Sequence, residues 1–137
     1  MASNDWFASI EARVFNTVSY RLKRALNLSD KDIKCTTNGQ SNSTAVFPTF
    51  YLHELSPIET GQDLENKTIN AVTETIETIV YTKNRQQCKK IINEVVVQMK
   101  ALGFDVTMMP IITTDDNVYD GVARFRRIVG SGDVDLT

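Results

Sequence analysis

The stretch TINAVTETIETIVYT, residues 68–82, constrains this chain more than any other, because ten of its fifteen residues are the β-branched Thr, Ile or Val. Side chains of that kind are stiff about χ1 and disfavour helix, so the run predicts one long strand. Along it Val72, Ile76 and Val80 share one face with Glu74, whereas Ala71, Thr73, Thr75, Glu77, Ile79 and Tyr81 share the other. Neither face is clean. A strand half apolar on both sides calls for a helix over one face, and for water or another subunit over the other.

Two helices are available to cover it. From Asp5 to about Leu28, Trp6, Ile10, Val14, Val18, Leu22 and Ala25 recur at spacings of three and four, one apolar stripe opposite a solvated face of Glu11, Arg13, Arg21, Lys23 and Arg24. NRQQCKKIINEVVVQMKALGF carries a wider stripe (Cys88, Ile91, Ile92, Val95, Val96, Met99, Leu102), with Asn84 as N-cap and Gly103 as the stop. DIKCTT, 32–37, reads as a short strand. AVFPTFYLHEL, 45–55, is another, placed at a sheet margin because Pro48 lacks a ladder donor. FDVTMMPII, 104–112, and VYDGVARFRRIVG, 118–130, are the last two strands, joined by a TTDDN turn. The expected order is α-β-β-β-α-β-β: a single α+β domain over 1–137, with both helices on one face of a mainly antiparallel sheet.

Three segments fall outside these elements. NGQSNST, 38–44, reads as a flexible loop and 131–137 as a loose tail. SPIETGQDLENK, 56–67, sets Glu59, Asp63 and Glu65 against Lys67, and Pro57 and Gly61 argue against a regular element. An irregular connection of that length often serves binding, so this acidic loop is a candidate interface.

The chain of 137 residues matches one domain able to bury a core without disulfides or metals. A net charge of -2 argues against wholesale coating of nucleic acid or of an anionic membrane. Cys35 and Cys88 form no metal or redox motif and read as reduced thiols. The first residues show no export signal and no window is long enough to span a bilayer, which predicts folding in a cytoplasm with no membrane partner.

Catalytic chemistry finds little support. His53 stands alone as histidine, in LHEL, where a surface role at a strand end is ordinary. Asp115 and Asp116 suit a solvated turn better than a cation site, and the GSGD of 130–133 opens no helix that would make it a phosphate loop. No catalytic group, cofactor or metal is expected. The arginines of 123–130 are more informative: Arg124 and Arg126 point one way with Val122 and Ile128, and Arg127 points the other with Phe125 and Val129. Arginines alternating with apolar residues suit packing beside the acids of a neighbouring strand, Glu74 or Glu77. Nucleic-acid binding would add Lys83, Arg85, Lys89 and Lys90 from the second helix, but no aromatic pair or helix-turn-helix pattern accompanies them.

PTFYLHELSPIETGQDLENKTINAVTETIETIVYT, then CKKIINEVVVQMKALGF, VTMMP and VARFRRIVGSGD, resembles the tail-completion proteins, or tail terminators, of long-tailed phages. The likeness covers roughly 45–133 and is most specific at Gly61–Leu64, Val106–Pro110 and Ala123–Gly130. It implies a non-catalytic virion protein of the phage neck, assembled in the bacterial cytoplasm, that closes into a homo-hexameric ring, caps the tail tube and docks it to the head-side connector or stopper protein. DNA would pass through the ring without specific binding, as an acidic chain permits. A cyclic ring needs two different patches on each subunit. The expected contact sets the acidic segment (Glu59, Gln62, Asp63, Leu64 and Glu65) against a basic surface, from Arg124, Arg126 and Arg127 or from the second helix, on a neighbour or on the tail tube. Alternatives are a head-closure or adaptor protein of the same connector region, and a small nucleic-acid-binding regulator that uses the arginine strand.

Overall fold

The computed structural model describes residues 6–37, 48–62 and 69–132. A short 3-10 turn, Trp6–Ser9, leads into α1 (Ile10–Ala25), followed by β1 (Lys34–Thr36), β2 (Thr49–Gln62), β3 (Ile69–Thr82), α2 (Arg85–Ala101), β4 (Asp105–Asp115) and β5 (Val118–Gly130). This is an α+β chain with the expected element order. The five strands lie in the order β1-β2-β3-β5-β4. Every pairing is antiparallel except that of β1 with β2, which is parallel.

The long β-branched run occupies the centre, with β2 and β5 on either side. Its even positions behave as the period of two requires: Val72, Glu74, Ile76, Thr78, Val80 and Thr82 are all buried. Against them pack Phe50 and Leu52 of β2, Ala123, Phe125 and Val129 of β5, and the apolar stripes of both helices, Ile10, Val14, Val18 and Leu22 with Cys88, Ile91, Ile92, Val95 and Met99. Both helices therefore cover one face of the sheet. Asn84 caps α2 by accepting a hydrogen bond from the Gln87 amide at 3.1 Å, and Gly103 ends it at φ 85, a conformation that glycine adopts without strain.

Gly121 of β5 marks the closest approach of α2 to the sheet. A methyl group there would meet Cys88 Sγ at 3.0 Å and Ile92 Cβ at 3.4 Å. Gly121→Ala is expected to destabilise the chain by about 1–3 kcal/mol through overpacking, seen as a lower midpoint in urea with an unchanged slope.

The structure corrects several boundaries. The first helix is shorter than the apolar spacing suggested: Asp5 lies outside the described residues, 6–9 form the 3-10 turn, and the chain leaves α1 at Leu26 with Asn27 at φ 56. Strand β2 begins after Pro48 rather than containing it. It then runs through Ser56–Gln62, half of the segment read as an acidic loop. The ladder absorbs Pro57 by a bulge: Leu55 pairs with Thr75 and Ile58 with Thr73, which leaves Ser56 and Pro57 together opposite Glu74. Beyond Tyr51 no strand flanks β2 on its other side among the described residues, so a residue without an N–H is tolerated there. Strand β4 likewise continues through Thr113–Asp115, and the turn is only Asp116–Asn117, with φ 52 and 67, the left-handed pair that closes two-residue hairpins. The 38–44 and 133–137 segments lie outside the described residues.

Candidate functional site: the open face of the sheet

The face away from the helices is arranged in rows by the strand register. One row runs Tyr51–Ile79–Val122–Ile111 across β2, β3, β5 and β4; the next runs His53–Glu77–Arg124–Met108, then Leu55–Thr75–Arg126–Asp105, and last Ile58–Thr73–Ile128. Two apolar rows thus enclose a charged band. Ile58, Ile128 and Ile111 are 66%, 60% and 52% exposed, and Tyr51, Leu55, Ile79 and Val122 are half-buried. Exposed apolar side chains in two rows about a charged band have the make-up of a contact surface.

Glu77 holds the charged band together. One oxygen lies 2.7 Å from His53 Nε2 and the other accepts from Arg124 Nε at 2.8 Å. The His53 ring stacks on Tyr51, with centroids 4.8 Å apart at 11°. Burial pushes the Glu77 carboxyl up, but the hydrogen bonds from His53 and Arg124 outweigh it and hold the group below the usual carboxylate range. Its contribution to stability is therefore present above the ordinary glutamate value and is lost as pH falls through the depressed one. His53 is no strand-end residue, as LHEL had suggested; it sits mid-strand as the third member of this network.

The strand arginines go three ways. Arg124 meets Glu77, one of the two acids that the alternation offered. Arg127 lies opposite Glu74 in register on the helix-covered face, yet its Nη1 donates to the Leu102 carbonyl at 2.6 Å and so caps the end of α2 instead of pairing with that acid. Arg126 stays exposed on the open face, opposite Asp105. Of the acidic candidates, Glu59 is exposed on β2 and Gln62 is its last residue, paired with Ile69. Asp63, Leu64 and Glu65 lie outside the described residues.

Glu74 is the residue whose peculiarity the alternation half disclosed. It stands among Val72, Ile76 and Val80 as read from the sequence, fully buried, and neither carboxyl oxygen has a hydrogen-bond partner among the described residues. Burial first, then the neighbouring Glu54 carboxyl and the more distant Glu11, raise its pKa from 4.5 to about 9. Burial thus favours the neutral form of this carboxyl. Glu11 itself is held by the Glu54 amide, which donates to Glu11 Oε2 at 2.7 Å and ties α1 to β2.

Neither cysteine is paired; Cys88 is buried with its thiol directed to the Val80 carbonyl at 3.6 Å. Among the described residues no group of three or more His, Cys, Asp and Glu is placed to hold a metal ion, and no helix is long and apolar enough to cross a membrane. No protein-family model matches the sequence, and none of the curated proteins matches it.

Proposed function

We propose that this chain is a structural subunit rather than an enzyme: a phage tail terminator that closes into a six-membered ring, caps the tail tube and joins it to the head-side connector. The observation that supports an assembly role best is the uncovered sheet face. A single sheet with helices on one side only leaves Tyr51, Ile79, Val122 and Ile111 in one apolar row, with Ile58 and Ile128 in another. Covering them with another protein removes that area from water, at roughly 25 cal/mol for each Å² buried. The charged band between the rows gives such a contact its register, since a misplaced partner leaves Arg126 or Asp105 desolvated and unpaired.

The identification as a terminator, and the ring of six, rest on the resemblance of residues 45–133. Charge reversals test it. Arg126→Glu, and separately Asp63→Lys, are expected to reduce the joining of heads to tails and the recovery of rings, scored by negative-stain imaging. Full ring assembly and tail joining by both variants would sink the assignment.

A further inference from the structure

Carboxyls from three elements converge under the start of α1. In the register of β2 on β3, Glu54 pairs with Ile76, which puts it one step along the same helix-covered face from Glu74. Long side chains on such a diagonal reach each other, and the Glu54 carboxyl lies in hydrogen-bonding range of Glu74. Glu11, in the first turn of α1, comes from the helical layer and accepts from the Glu54 amide at 2.7 Å. That bond joins α1 to β2.

Two ionised carboxylates have no hydrogen to place between them. Glu74 is fully buried and no donor reaches either of its oxygens among the described residues, so an ionised Glu74 would face Glu54 with nothing to offset the charge. With a proton on Glu74 the same approach becomes an O–H donated to the Glu54 carboxylate, a charge-assisted bond. The charged groups of the other elements leave this balance alone. On β5, Arg127 stands opposite Glu74, but its Nη1 donates to the Leu102 carbonyl. Helix α2 exposes Lys89, Lys90 and Lys100, and the thiol of Cys88 is directed to the Val80 carbonyl. Within β3 itself, Glu77 lies on the opposite face.

We propose that a proton shared by Glu74 and Glu54 latches the start of α1 onto the sheet, and that its loss opens residues 6–11 while the rest of the fold stays closed. The device does not depend on the ring reading. Its action is local because the two parts of α1 are held differently: Val14, Val18 and Leu22 are fully buried, whereas Trp6 and Phe7 only flank the core and Glu11 is half-buried. Of residues 6–11 Ile10 alone is fully buried, so opening withdraws one side chain from the core. Burial raises the Glu74 pKa from 4.5 to about 9, and hydration in the open form restores the ordinary value. Opening therefore grows as pH rises between those limits, about ten-fold for each unit.

The test follows the full chain without denaturant from pH 6 to 9, by hydrogen exchange at the Glu54 amide and by the emission of Trp6, the sole tryptophan. In wild type the protection of the Glu54 amide is expected to fall about ten-fold per pH unit and the Trp6 emission to move to longer wavelength, while the core amides of β3 stay protected. Glu74→Gln should abolish both changes. Glu54→Gln gives an ionised Glu74 a donor, so it should move the onset of both to higher pH. Protection and emission that stay flat with pH in wild type overturn the proposal. A loss of protection that reaches Glu54 and the β3 core together is global unfolding and overturns it too. A Glu54→Gln protein that behaves as wild type would show the proton held by burial alone, with no latch shared between the two carboxyls.

Discussion

Glu74→Gln is expected to leave stability near that of wild type at pH 5 and to raise it increasingly toward pH 8, by an amount on the order of a few kcal/mol. The folded-state pKa of Glu74 is raised, to about 9 from 4.5, so the stability linked to its protonation is fully present below 4.5 and is lost as pH rises toward 9. In that window the unfolded chain has released the proton and the folded chain has kept it. Each pH unit then removes up to about 1.4 kcal/mol. Glutamine keeps the shape and stays neutral, so it removes the slope that Glu74 carries. Urea midpoints for both proteins across pH 5 to 8 should therefore diverge as pH rises; parallel curves would mean that Glu74 is hydrated or paired.

Nothing in a carboxyl buried among Val72, Ile76 and Val80 favours folding at neutral pH. Arg127 stands opposite in register, and its guanidinium caps α2 instead. The register shift at Ser56–Pro57 lies opposite Glu74.

The second large effect concerns assembly. Ile79→Asp places a carboxylate at the centre of the row Tyr51–Ile79–Val122–Ile111. In the isolated chain that face is open and the charge stays hydrated, so the fold should persist with a modest loss of stability. In a complex that covers the face, an unpaired charge costs several kcal/mol, which weakens each contact by roughly a hundred-fold or more. Light scattering should show assembly abolished while far-ultraviolet circular dichroism is unchanged. An Ile79→Asp protein that assembles like wild type would show that this face is not a contact.

Much of this architecture was written in residue spacing. The stripes of both helices, the N-cap at Asn84, the stop at Gly103 and the two faces of β3 follow from periods of 3.6 and 2, and β5 ran over the residues expected of it. What spacing concealed was pairing. Pro57 and Gly61 signal a loop unless a bulge and an unflanked strand edge accommodate them, and neither device is visible in one strand's sequence. Alternation set Arg124 beside the acids of a neighbouring strand, Glu74 or Glu77, and the structure selects Glu77; His53 was missed because LHEL alone does not show the β2–β3 register that sets His53 opposite Glu77. The same limit applied to Arg127, whose capping of Leu102 depends on where α2 ends relative to β5.

One measurement bears most directly on the assembly reading: the molar mass of the purified chain by light scattering, alone and with tail tubes, with absorbance for nucleic acid and images of the same fractions. The account predicts rings of six, free of nucleic acid, formed alone or on the end of the tube. A chain that stays monomeric under both conditions, or a dimer that retains nucleic acid, would contradict it.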